Sequence, residues 1–179
     1  MDESDETLAA AAANGDREAF GTLLARHYDR LFAFAFRLMG VRDQAEDLTQ
    51  DICAALPVKL RGFRGEARFT TWLYRVAVNA AHDRRRRAAT RMRASEGWGD
   101  WEVNRRATIE EAREGQSWLH AAMQALPDDL RDTVALVAGE GLSQAEVARV
   151  LNISEGTVAW RMSEVKKRLR ALKQKEAEA

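Results

Sequence analysis

Residues 69–87 combine an apolar helical pattern with side chains that could bind a polyanion. Apolar residues recur along this stretch at helical spacing, so one side of the helix should be buried. The other side carries polar residues three or four positions apart, followed by four consecutive arginines. These residues are Arg75, Asn79, Asp83 and Arg86, and the run Arg84, Arg85, Arg86 and Arg87. A helix with one anchored side and one cationic, amide-bearing side is suited to lie against nucleic acid.

The alternative is that the arginine run is solvated and only keeps the protein soluble. Here Glu66 and Asp83 are the only acids between Arg61 and Arg93, against ten Lys or Arg. This imbalance favours a binding surface over a solvated one. The loop before the helix places Phe63 among arginines, an arrangement that can stack single-stranded bases. Phe63 could equally close the end of a helical bundle, and residue chemistry alone leaves both alternatives open.

A second informative stretch covers residues 141–170. Ser143 and Glu146 form a capping box, which predicts a helix starting at Gln144. A turn at residues 152–154 follows, and Ser154 caps a second helix. This pattern is typical of a helix-turn-helix, whose second helix enters the major groove with residues near its amino end reaching base edges. The alternative is a helical hairpin with no role in DNA binding.

The elements that carry these stretches are predicted to be helical throughout. Alternating β-branched runs are missing, while Ala, Leu, Arg and Glu dominate. We expect an all-α fold of two small helical domains, residues 1–93 and 116–179, joined by a flexible linker at residues 94–115. The linker could contain a short helix near residues 108–113, and Trp98 and Trp101 suggest that it packs on something in at least one state. The remaining helices are expected at 6–13, at 17–39 with Asp16 as the cap and Gly40 after the end, at 43–60, at about 118–126 and at 128–139.

A formal net charge of zero conceals a segregation of charge along the chain. Residues 1–60 carry eleven acids and six bases, whereas residues 155–175 carry seven bases and two acids. The acids and amides of the third helix share its outer side, which is either solvated or a docking surface for a partner. These residues are Gln44, Glu46, Asp47, Gln50 and Asp51.

Several classes of function are not expected. Cys53 is the only cysteine, so no internal disulfide can form and a reducing compartment is favoured. We find neither a signal-peptide pattern nor a run of apolar residues long enough to span a membrane, so a cytoplasmic protein is expected. The three histidines are far apart and no metal-ligand spacing or phosphate-binding glycine loop occurs. We therefore expect no catalytic residues, no cofactor, no metal and no small-molecule substrate.

Both stretches, in this order, resemble the extracytoplasmic-function sigma factors of bacterial RNA polymerase. The resemblance covers nearly the whole chain. It rests on three segments, AEDLTQD from Ala45, FRGEARFTTWLYRVAVNAAHDRRRR from Phe63 and ALPDDLRDTVALVAGEGLSQAEVARVLNISEGTV from Ala125. The resemblance implies a non-enzymatic factor that binds core RNA polymerase and promoter DNA, helps to open the duplex and is held by an anti-sigma factor.

The resemblance also implies roles for individual residues. The outer side of the third helix would bind the polymerase clamp, and the second domain would touch the flap. Phe63 would receive a flipped non-template base, and Asn79 with its neighbouring arginines would lie along the minus-ten element, where Asn can pair with adenine and Arg with guanine or phosphate. The full minus-ten set is Phe63, Arg64, Arg75, Asn79, Arg84, Arg85, Arg86 and Arg87. The minus-thirty-five set is Ser154, Glu155, Thr157, Trp160, Arg161 and Lys166.

The chain departs from the family pattern at one place in the second domain. After Gly-Thr-Val the family usually has a basic residue, a serine and an arginine, whereas this chain has Ala159, Trp160 and Arg161. Upstream recognition could therefore be atypical, or Trp160 could pack on a thymine methyl or a deoxyribose. The departure also keeps two alternatives open: a sigma-like decoy that occupies an anti-sigma factor, and a plain helix-turn-helix regulator.

Overall fold

The computed structural model describes residues 3–94 and 118–178, and it is helical. In those ranges it contains eight α-helices and no strand. They are α1 (Asp5–Ala13), α2 (Arg17–Met39), α3 (Arg42–Lys59), α4 (Phe69–Ala94), α5 (Trp118–Gln124), α6 (Asp128–Val134), α7 (Gln144–Leu151) and α8 (Glu155–Ala177). The predicted all-α class is confirmed. The short helix expected near residues 108–113, Trp98 and Trp101 lie outside the described residues.

Packing divides the chain into two compact units, Met1–Ala81 and His82–Ala179. The division falls inside α4, so residues 82–94 belong to the second unit although they continue the same helix. The domain limits expected at residues 93 and 116 remain a prediction, since residues 95–117 are not described.

The first unit is built on α2, α3 and the first half of α4. The side chain of Asp16 caps α2 by accepting hydrogen bonds from the Glu18 and Ala19 amides, and Gly40 ends the helix in the left-handed conformation at φ 78°. Phe34 is fully buried and meets Tyr74 of α4 edge-on, with ring centroids 5.0 Å apart. Other buried residues include Leu31, Leu38, Leu48, Ile52, Phe69 and Leu73. This core leaves the polar side of α4 outside.

The second unit centres on a cluster formed by α6, α8 and the residues before α6. Leu126, Leu130, Val134 and Val165 are its buried members, and Met123, Met162 and Leu169 pack against them. The π-helical segment Ala135–Gly139 continues α6 and buries Leu136 completely. Because Val165, Met162 and Leu169 of α8 pack into this core, the opposite side of α8 faces outward.

Candidate nucleic-acid interface

The predicted polar side of α4 is present. Arg75, Asn79 and Arg86 are exposed, and they lie on one side of a continuous helix because their spacings of four and seven residues return to the same face. Arg86 also donates to Asp83 Oδ1 at 2.8 Å. Since the pair is exposed, it holds Arg86 only weakly and leaves it able to bind an anion.

The four consecutive arginines are not equivalent. Arg86 and Arg87 are exposed, whereas Arg84 is partly buried and the side chain of Arg85 is only 16% exposed. Arg85 Nη2 lies 2.9 Å from Asp132 Oδ1 and its Nη1 lies 3.0 Å from Asp132 Oδ2, a bidentate pair with α6. The predicted promoter contact of Arg85 therefore competes with an ion pair inside the second unit.

Asp132 is a buried carboxylate at the predicted interface that the sequence did not reveal. Its side chain is 1% exposed, and besides Arg85 it contacts His82 Nε2 at 2.7 Å. Burial, the largest influence, raises the pKa of Asp132, but the hydrogen bonds and charges of His82 and Arg85 outweigh it, so the pKa lies below its ordinary value. The carboxylate therefore stays ionised and anchors the start of the arginine run. Its partners lie 47 and 50 residues away in sequence, beyond the reach of any local pattern.

Phe63 belongs to an aromatic cluster at the amino end of α4. The side chain is partly buried, with its ring centroid 5.3 Å from that of Trp72 and 6.0 Å from that of Phe69. The backbone amide of Phe69 donates to Glu6 Oε1 at 3.1 Å, which ties this end of α4 to α1. Phe63 thus packs on the bundle, one of the two alternatives that the sequence left open, while Arg64 beside it is exposed. Its capture of a base remains a prediction.

The outer side of α3 has the expected polar character. Gln44, Asp47, Gln50 and Asp51 are exposed. The fifth predicted residue, Glu46, is partly buried and accepts from Arg42 Nε at 2.8 Å. Four of the five residues predicted to bind the polymerase are therefore exposed on this side of α3, and the fifth, Glu46, pairs with Arg42 of the same helix.

The helix-turn-helix is formed by α7 and α8. Glu146 Oε2 accepts from the Ser143 amide at 2.8 Å and the Glu146 amide donates to Ser143 Oγ at 3.2 Å, so the predicted capping box is confirmed. Asn152 turns the chain in the left-handed conformation at φ 54°, and Ser154 Oγ accepts from the Thr157 amide at 3.1 Å to start α8. Val147 and Val158 are fully buried. The caps therefore set where the two helices begin, and the buried valines hold their apolar sides in the core.

The six residues predicted to read the upstream element differ in their surroundings. Glu155, Trp160 and Lys166 are exposed, whereas the hydroxyls of Ser154 and Thr157 lie 2.8 Å apart within the cap. Arg161 is turned towards α6: its Nη1 lies 3.4 Å from Thr133 Oγ1, its Nε lies 3.7 Å from Asp129 Oδ2, and its side chain is 18% exposed. Of the predicted side chains on α8, those of Glu155, Trp160 and Lys166 therefore face outward, whereas Arg161 faces α6.

Neither a metal centre nor a reactive thiol emerges from the described residues. No cluster of three or more His, Cys, Asp or Glu that could hold a metal ion occurs in residues 3–94 and 118–178. Cys53 is partly buried, and burial raises the pKa of its thiol despite a backbone hydrogen bond that lowers it. None of the described helices is long and apolar enough to cross a membrane.

Comparison with known proteins identifies relatives for both units. Models of Sigma-70 region 2 and of Sigma-70, region 4 match residues 23–91 and 116–169. The ECF RNA polymerase sigma factor SigM of Mycobacterium tuberculosis is 35% identical over 169 residues, covering 94% of this chain and 84% of SigM. The RNA polymerase sigma factor CnrH of Cupriavidus metallidurans is 32% identical over 182 residues, covering 96% of this chain and 95% of CnrH.

A solved structure agrees with these matches. The structure of CnrH in complex with the cytosolic domain of CnrY has a TM-score of 0.70 and 31% identity, and the match covers 96% of this chain and 98% of that chain. The resemblance inferred from the motifs is thus confirmed, and the chain belongs to the sigma-70 family of RNA polymerase sigma factors, in its ECF group.

Proposed function

We propose that this chain directs core RNA polymerase to promoters with a minus-ten and a minus-thirty-five element and helps to open the duplex. The supporting observation is that α4 and α8 each bury one side and present exposed cationic residues on the other. Such a surface attracts the phosphate backbone, while polar side chains within it can reach base edges. Membership of the ECF group supports the proposal that the two helices contact two separate promoter elements.

On α4 the exposed residues would make the contacts with the minus-ten element. Arg75, Arg86 and Arg87 would bind phosphate or guanine, and Asn79 would pair with adenine through its amide. Arg64 and Phe63, just before the helix, would meet the displaced strand, where an aromatic ring can stack on an unpaired base. Arg84 and Arg85 would contact the minus-ten element only if Arg84 left its partly buried position and Arg85 left its ion pair with Asp132.

Partner binding is assigned to the remaining surfaces. The outer side of α3 would bind the polymerase clamp, and the second unit would touch the flap. CnrH has been solved bound to the cytosolic domain of CnrY, and we propose that an anti-sigma factor likewise holds this chain until a signal releases it. We place its activity in the cytoplasm, where the polymerase transcribes DNA, and assign it no catalytic residues or cofactor.

Transcription in vitro tests this proposal. Purified core polymerase, with or without the chain, is given a library of duplexes randomised over the promoter, and transcripts are sequenced. We expect initiation that depends on the chain, from templates sharing two elements. Core binding without initiation on any template would instead favour the anti-sigma decoy, and DNA binding without core binding would favour a plain regulator.

A further inference from the structure

The exposed indole of Trp160 is the most unusual feature of the recognition helix. Trp160 stands where the family pattern has a serine, and the residue is 62% exposed. We propose that Trp160 determines upstream specificity by packing against the 5-methyl group of a thymine in the major groove. This inference rests on the proposed function and names the base that α8 reads.

The position of Trp160 on α8 points it away from the core of the second unit. Val158 and Val165 are buried on the inner side of the helix. At about 100° per residue, Trp160 lies roughly opposite that side. Gly156, Ser163 and Lys167, at spacings of four, three and seven residues, share its face and are exposed. Because Gly156 and Ser163 are small, the indole is the main apolar projection of this face.

Gly156 leaves room for close approach to the same face. A Cβ built at this position would meet only Ser154 Oγ, at 3.8 Å, which is an ordinary contact. Neither a steric clash nor a left-handed backbone therefore requires glycine within the chain. An absent side chain one turn before Trp160 instead lets another molecule come near the helix.

The charges around Trp160 favour DNA as that molecule. Lys166, Lys167 and Arg170 are exposed on the turns that follow it. Glu155 is an exposed acid in the first turn, while Glu164 accepts from Arg168 Nε at 3.1 Å and is neutralised within the helix. The excess of positive charge complements phosphate.

The chemistry of the groove then selects the base. Arg161 is held by Asp129 and Thr133 of α6, so it acts as a positioning residue for α8 in this arrangement. The indole has one N–H donor and is otherwise apolar. The apolar feature that base pairs present in the major groove is the thymine methyl group, and an apolar side chain in contact with that methyl discriminates thymine from the other bases.

The experiment removes that methyl group and nothing else. Holoenzyme formed from core polymerase and the full chain selects its upstream site from a randomised duplex library. Each thymine of the selected site is then replaced by deoxyuridine, and binding is measured. At one or two positions we expect a loss of about three- to fivefold, the size expected for one buried methyl group.

The Trp160→Ala variant should bind the thymine and deoxyuridine duplexes equally well, because the group that senses the methyl is gone. Lys167→Ala, the matched control on the same face, should weaken binding to both duplexes by the same factor and retain the thymine preference. Thermal unfolding of each variant checks folding, and Trp160→Phe should keep part of the preference.

Three results would overturn the inference: an upstream site without thymine, no effect of deoxyuridine at any position, or a thymine preference that survives in a folded Trp160→Ala variant. If Trp160→Ala weakened only the capture of an anti-sigma factor, the indole would be a protein contact and the inference would fail. If the wild-type holoenzyme selected no site at all, the proposed function itself would fail.

Discussion

Asp132 carries a charge in a place where an unpaired charge would be very costly. With 1% of its side chain exposed, it depends on Arg85 and His82 to offset the loss of hydration. We expect Asp132→Asn to lower the free energy of unfolding by about 3 kcal/mol, since Arg85 would be left without its bidentate partner. Urea denaturation at pH 7 measures the change. Asp83→Asn is the control, because its pair with Arg86 is exposed and its loss should cost about 0.5 kcal/mol or less.

The same carboxylate predicts a pH dependence. Because the folded pKa of Asp132 is below its ordinary value, its contribution is fully present above the unfolded pKa of about 4 and is lost as the pH falls further towards the folded pKa. The stability difference between the wild type and Asp132→Asn should therefore shrink below about pH 4. A difference that stays constant down to pH 2 would mean that the charge of Asp132 does not stabilise the fold.

Arg85 and Arg87 should differ when each is replaced by alanine. Arg87 is exposed, so Arg87→Ala should leave the unfolding midpoint unchanged and reduce the salt slope of promoter binding by about 0.9 for one lost phosphate contact. Arg85→Ala should instead lower the stability of the second unit because it strands Asp132. Holoenzyme binding at several salt concentrations, with thermal unfolding of the free chain, separates the two. Equal slopes and equal midpoints would contradict this division.

At the scale of the element, the turn between α7 and α8 depends on Asn152. A β-branched side chain is strained at φ 54°, so Asn152→Val should destabilise the second unit by about 1–2 kcal/mol and weaken upstream binding. Asn152→Gly is the matched control and should be nearly neutral, because glycine adopts this conformation freely. Denaturation of both variants measures the difference. The turn would not constrain the helix-turn-helix if the valine variant were as stable as the glycine variant.

Several element ends were predictable from the side chains that mark them. Asp16 and Gly40 delimit α2, and Ser143 with Glu146 starts α7, all as the sequence indicated. The start of α3 was predicted one residue late, at Asp43, since the observed N-cap, Val41, makes no side-chain bond. Pro57 lies inside α3, within the range 43–60 expected for this helix and two residues before its end, and its missing N–H removes one backbone hydrogen bond there. A capping side chain can therefore identify a helix end in the sequence, whereas an end without one, such as the start of α3, is not marked by local chemistry.

The candidate site was predictable in its residue types and less so in its orientations. The spacing of Arg75, Asn79 and Arg86 correctly placed them on an exposed side of α4. The inward turns of Arg85 and Arg161 could not be foreseen, because their partners on α6 lie 47 and up to 32 residues away. Which arginine of a run meets a distant carboxylate is a property of tertiary packing.

At the scale of the whole molecule, promoter opening tests the loop before α4. Phe63→Ala should slow opening more than initial binding, because base capture follows the first encounter. Since Phe63 also packs on Phe69 and Trp72, Phe63→Leu is the better variant: it keeps apolar contact and removes the ring needed for stacking. Rapid-mixing measurements of opening and equilibrium binding report the two steps. If Phe63→Leu opened promoters at the wild-type rate, Phe63 would be a packing residue.

The continuous course of α4 across the division at Ala81 has a consequence for amide hydrogen exchange. Backbone amides before that residue are protected by the core of the first unit, which includes Val78 and Ala81. From Arg86 to Ala94 the residues are exposed, so the protection of their amides from exchange depends mainly on the hydrogen bonds of the helix itself. One uninterrupted helix should therefore exchange at two widely separated rates, with the faster one in the turns that carry Arg86 and Arg87. Binding of these arginines to the minus-ten element would slow amide exchange in the same turns. The deuterium uptake of a single peptide would therefore report promoter binding.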